Sequence, residues 1–152
     1  MKLYTIGYGG RTIEEFVKVL EAMGVDLLID VRRVPRSRKP GFSWGALDAG
    51  FTGHFYRWFG DLGTPTTLRS RYKAGLELTD FLHQYDGYIR TESVEKTIKG
   101  LLGDILKGGL ARPCLMCLEA DAKKCHRSVL AARMMELSGP AGHPGIEGIV
   151  DL

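Results

Sequence analysis

Two short apolar runs without alternation, Leu27-Leu28-Ile29 and Cys114-Leu115-Met116-Cys117-Leu118, constrain the fold of this chain more than any other feature. A strand with one face in water alternates apolar and polar residues. A strand covered on both faces does not, and such strands belong to parallel sheets flanked by helices. Each run has a helical neighbour in sequence. Ahead of the first, Ile13, Phe16, Val17 and Leu20 recur at i, i+3, i+4 and i+7. Thr12 with Glu15 forms a capping-box pattern there, and Gly24 supplies a stop. After the second, residues 122–137 carry apolar positions at helical spacing. Leu3 to Ile6 adds an N-terminal strand closed by Gly7-Tyr8-Gly9-Gly10, and a parallel strand pair joined by one helix should be right-handed.

The fold class expected is therefore α/β: a single domain over residues 1–152, with a mostly parallel sheet flanked by helices on both faces. A chain of 152 residues can bury a core without disulfide or metal staples and has no room for a second domain. Further helices are expected over 78–87 and 92–107, with strands after Pro113 and over 146–152. Residues 35–75 lose all periodicity, are rich in Gly, Pro, Arg and aromatics, and read as a long functional loop with short helices that the pattern does not place.

Composition narrows the class further. Hydrophobic residues make up 44% and charged residues 26%, which is globular, and no run reaches the roughly 18 apolar residues of a membrane span. The N-terminus lacks an apolar signal region, and three cysteines are ill suited to a secreted disulfide framework. A cytoplasmic protein with no membrane partner is expected; the oligomeric state is left open. Charge is unevenly placed: residues 32–73 hold nine Lys or Arg against Asp48 and Asp61, so this block is +7 and the remainder −4 of the net +3. Such a region can attract phosphate, nucleotide or nucleic acid, or it can be a solvated face paired with acids elsewhere.

The reactive side chains crowd into 114–128, around a strand-to-helix turn. In open α/β sheets ligands bind at the carboxyl ends of strands, which places Asp30, Cys117, Glu119, Cys125, His126 and Arg127 at one edge. Asp30 and Glu119 are candidate acid/base carboxylates. Arg32, Arg38 and Arg127 offer forked donors to an anionic substrate, although an Asp30–Arg32 or Asp30–Arg127 ion pair that merely pins the loop is the alternative. Cys117 and Cys125 are candidate nucleophiles, the latter in the first turn of a helix whose dipole favours a thiolate, and His126 is a candidate acid or base. Gly7 and Tyr8 open a turn whose N–H groups could face an anion; plain turn geometry is the competing account. The aromatic segment 54–63, with Tyr56, can stack a base or cover a pocket, or simply pack. No cofactor is expected. No metal is expected either, because Cys114 and Cys117 project from opposite faces of a regular strand.

Thr5-Ile6-Gly7-Tyr8, Asp30-Val31-Arg32 with Pro35-x-Ser37-Arg38, Tyr56 with Leu62-Gly63, and Cys117-x-Glu119 followed by Cys125-His126-Arg127 together resemble domain-of-unknown-function family 488. The resemblance implies a compact α/β fold with a shared pocket and no established reaction. Family members often close with a histidine-bearing strand, whereas this chain ends Gly148-Ile149-Val150-Asp151-Leu152, so no role for such a histidine carries over. Asp30-Val31-Arg32 also resembles the strand end of rhodanese-like sulfurtransferases, whose cysteine loop is not recognisable here. The function expected is hydrolysis or group transfer on an anionic nucleotide or nucleic-acid component. Thiol-based catalysis and a non-catalytic nucleic-acid-binding module are the alternatives.

Overall fold

The computed structural model describes residues 1–50, 55–139 and 145–152. Five strands form one parallel sheet: β1 (Lys2–Gly7), β2 (Leu27–Asp30), β3 (Phe55–Trp58), β4 (Pro113–Cys117) and β5 (Gly148–Asp151), in the spatial order β3-β2-β4-β1-β5. Six helices surround it: α1 (Ile13–Ala22), α2 (Trp44–Gly50), α3 (Thr66–Lys73), α4 (Leu78–Ile89), α5 (Glu92–Lys107) and α6 (His126–Leu137).

The lack of alternation in the strands has the expected cause. Every residue of β2 and of β4 is buried, and successive residues feed two different cores. Leu27, Ile29, Leu115 and Cys117 pack with α3, α4, α5 and α6 on one face. Leu28, Cys114 and Met116 pack with Phe16 and Leu20 of α1 and Leu47 of α2 on the other. The opposite orientation of Cys114 and Cys117 follows from this two-residue period. At α1 the capping box forms as the spacing predicts: the Glu15 N–H donates to Thr12 Oγ1 at 3.2 Å and the Thr12 N–H to Glu15 Oε2 at 2.9 Å.

Two expectations change. The stretch 35–75 carries two short helices, α2 and α3, which that reading allowed, and also a strand, β3, which it did not. β3 escapes a periodicity search because it is an edge strand paired only with β2, and three of its four residues are exposed; burial imposes no pattern on such a strand. His54 of the aromatic segment lies outside the described residues. The helix expected over 122–137 is also interrupted. A single 3-10 turn, Ala122–Lys124, is followed by Cys125 in extended conformation (φ −120°, ψ 140°), and α6 starts at His126. Cys125 is therefore the residue preceding the helix, and His126 the first inside it.

Candidate active site

Gly7, Asp30 and Cys117 end three neighbouring strands, so the chemistry-bearing residues meet at the carboxyl edge of the sheet. There β1 and β4 remain joined beyond their last paired residues: the Tyr8 N–H donates to the Cys117 carbonyl at 3.0 Å and the Gly9 N–H to that of Leu118 at 2.8 Å. A Cβ at Gly7 would collide with the Glu119 carbonyl. The glycines of this turn thus permit close backbone approach, and the Tyr8 and Gly9 N–H groups are engaged within the protein rather than free for an anion.

Asp30 is fully buried at the end of β2, where an unpaired carboxylate would be prohibitive. Its partners saturate it. Arg32 donates from its backbone N–H (3.0 Å) and from Nε (2.9 Å) to Oδ1, and from Nη2 to Oδ2 at 2.6 Å. The Tyr56 hydroxyl donates to Oδ2 at 2.7 Å. Arg32 completes its own set by donating Nη1 to the Phe42 carbonyl at 2.7 Å and to the Tyr8 hydroxyl at 3.3 Å. Burial disfavours the Arg32 charge, but Asp30 outweighs it and the guanidinium stays firmly protonated. Burial together with the bond to Asp30 pushes the Tyr56 phenol up. Tyr8 stacks on Phe42, with ring centroids 4.5 Å apart. The structure thus places Asp30, Arg32, Tyr8 and Tyr56 in one closed network, of which only the edges of Tyr8 and Arg32 reach the cavity described next.

That cavity, of about 580 Å³, opens beside β4 and is lined by Cys117, Cys125 and His126 on its floor. Around them stand Arg32, Arg33, Arg36, Arg69, Lys73 and Lys124, with Glu119 the single acidic lining residue. Arg69 and Lys73 are four residues apart on α3 and so share a helix face. Tyr72, Phe81 and Tyr8 supply apolar wall.

The floor is chemically unsaturated. The His126 ring sits edge-on to Tyr85, with centroids 5.0 Å apart, and Nε2 lies 3.0 Å from the Val31 carbonyl. A carbonyl only accepts, so Nε2 carries a proton, and in the neutral ring Nδ1 is the acceptor. Nδ1 faces both thiols, at 3.8 Å from Cys117 Sγ and 3.9 Å from Cys125 Sγ. The neighbouring Cys125 holds the Cys117 pKa below its ordinary value, against the effect of burial, and that of Cys125 is correspondingly raised. Burial is the main cause that raises the Cys114 pKa, on the far side of the sheet. The three donor atoms of Cys117, Cys125 and His126 lie within 4.8 Å of one another, and among the described residues they are the one such group of three His, Cys or acidic side chains.

The expected site residues therefore divide. Cys117, Glu119, Cys125 and His126 meet in the cavity, with Tyr8 and Arg32 at its side. Asp30 and Tyr56 stand behind Arg32. Asp30 and Glu119 do not converge on a common point: the first is sealed and the second exposed. Arg38 is exposed and outside the cavity lining. Arg127 is 0% exposed and bridges to neither Asp30 nor Glu119's carboxylate. It donates to the backbone carbonyls of Glu119 and Ala120 and to Asp151 Oδ1 at 3.1 Å, bracing the loop after β4 against β5. Individual assignment missed Arg33, Arg36, Arg69, Lys73 and Lys124. The +7 block signalled most of them as a group, but only the fold shows that charges from two distant loops and α3 surround one cavity.

The fold and cavity define a parallel-sheet α/β protein with a cation-lined pocket over a thiol–imidazole floor, at the carboxyl edge of its strands. The family model described as a domain of unknown function, DUF488, matches residues 12–134, and the chain belongs to that family. The match contains Asp30, the cavity cations and the whole of Cys117 to Arg127, and leaves β1 and β5 outside. No curated protein and no solved structure matches the chain.

Proposed function

We propose that this protein is an enzyme performing group transfer on an anionic substrate, of the size of a nucleotide or nucleic-acid component, with Cys117 as nucleophile. One observation carries the reading: six cationic side chains surround a cavity whose floor presents two thiols to the acceptor nitrogen of an oriented imidazole. The sealed network at Asp30 favours this over catalysis by paired carboxylates.

In the proposed reaction, Arg36, Arg69, Lys73 and Lys124 hold the anionic part of the substrate. Cys117 Sγ attacks the electrophilic centre, and His126 Nδ1 takes the thiol proton where the thiol is protonated. The bond to the leaving group breaks, and the imidazolium returns the proton to that group. An acceptor, water in the hydrolytic case, then attacks the substituted centre and releases the thiolate. Glu119, at the mouth of the cavity, is the carboxylate available to take the acceptor's proton.

The test needs no knowledge of the substrate. Reduced, metal-free protein is alkylated with iodoacetate and with iodoacetamide, and the modified cysteine is located by mass spectrometry. Expected is modification at Cys117, with the anionic reagent favoured relative to the unfolded chain and that preference lost in Arg69→Ala/Lys73→Ala. A reagent ratio equal to that of the unfolded chain would sink the reading.

A further inference from the structure

We propose that Cys117, Cys125 and His126 form a binding site for one soft divalent cation of the zinc class, with the fourth coordination position open to the cavity. The inference rests on the proposed reaction for its consequence alone: a bound cation holds both thiols and idles the nucleophile. The geometry is close to what such an ion requires. With Zn–S near 2.3 Å and Zn–N near 2.0–2.1 Å, a tetrahedral site has sulfur-to-nitrogen edges of about 3.6 Å. The two edges here measure 3.8 and 3.9 Å, so each needs to contract by only a few tenths of an ångström.

The imidazole is already in the ligating tautomer. Its Nε2–H is held by the Val31 carbonyl, the kind of outer partner that orients metal-bound histidines. That carbonyl is fixed in turn, since the Val31 N–H donates to Met116 O at 3.2 Å just beyond the end of β2. Tyr85 against the ring edge limits its rotation. The donors come from three rigid positions: the last residue of β4, the residue before α6 and the first residue of α6. Two thiolates cancel the charge of a divalent ion, so the surrounding cations do not bar its entry. They favour an anion as fourth ligand. The strand pair Cys114 and Cys117, which the sequence offers first, is not the site, because Cys114 lies in the other core.

Cobalt(II) is the probe. Reduced protein freed of metal by chelation is titrated with Co²⁺ and read by absorption. Expected are saturation at one equivalent, a thiolate-to-cobalt charge-transfer band in the near ultraviolet and intense tetrahedral bands in the visible. Cys117→Ser and Cys125→Ser abolish the charge-transfer band or halve it, while Cys114→Ser leaves it intact. His126→Gln weakens affinity by more than about tenfold, with circular dichroism confirming that each variant is folded. Zn²⁺ displaces the cobalt and protects Cys117 from iodoacetate. Absence of the band, or a band that depends on Cys114, overturns the inference. Anion-selective alkylation without a cobalt band discards the metal site and keeps the proposed reaction. A cobalt band on a protein whose thiols alkylate as in the unfolded chain does the reverse.

Discussion

Two buried polar clusters lie at the same edge of the sheet, at the ends of adjacent strands, and they differ in how completely they are satisfied. At the end of β2 both carboxylate oxygens of Asp30 and all three guanidinium nitrogens of Arg32 have protein partners. At the end of β4 a single imidazole acceptor faces two thiols at distances long for strong hydrogen bonds. A saturated cluster has nothing left to offer a ligand, whereas an unsaturated one opening into a cavity does. The difference teaches that the acidic cluster fixes the shape of the pocket and the sulfur cluster is where chemistry can occur.

The comparison breaks most sharply under Cys117→Ala and Asp30→Ala. Cys117→Ala should abolish the anion-selective alkylation entirely while changing stability by less than about 1.5 kcal/mol, as measured by urea unfolding. Asp30→Ala should do the opposite in kind: leaving Arg32 buried without its partner costs about 3–5 kcal/mol. If Asp30→Ala were as stable as the parent, Asp30 could not be the structural anchor described here. Gly7→Ala, which drives a methyl group into the Glu119 carbonyl, should cost about 1–3 kcal/mol in the same assay.

Cys125→Ala should sharpen the comparison. It removes the neighbour that holds the Cys117 pKa down, so in metal-free protein the alkylation rate should begin to rise only at higher pH than in the parent. An unchanged pH profile would mean that Cys125 does not tune Cys117. The smallest expected effects are those of Tyr56→Phe, about 1–2 kcal/mol from one hydrogen bond to a charged acceptor, and Arg36→Ala. The latter should leave stability within about 0.5 kcal/mol and reduce only the preference for the anionic reagent.

Much of the fold was legible because burial on two faces leaves a mark. β2 and β4 stand out as apolar runs, α1 as a capped amphipathic segment, and α5 begins after Thr91 and stops before Gly108-Gly109. β3 left no mark because an edge strand with exposed side chains can be built from almost any residues. Of the site, Cys117, Glu119, Cys125 and His126 could be placed at one edge from strand and helix positions alone. The interruption at Cys125 could not, and it is what directs that thiol toward Cys117. Arg127 was misleading for a physical reason: a long side chain beside the site can turn inward, and its acidic partner, Asp151, lies on a strand that nothing in the local sequence connects to it.

The strand order also bears on when this pocket can exist. β4 lies between β1 and β2 although Pro113 comes 83 positions after Asp30 in sequence, and the backbone pairing that joins the two early strands runs through it. During synthesis β1 therefore waits with both edges unpaired, and β2 with one, until β4 emerges. Pairings of such long sequence separation are slow to form. β5 follows β4 in sequence and carries the Asp151 that ties down Arg127, so the loop between Cys117 and Cys125 gains its brace only after the other four described strands have been made.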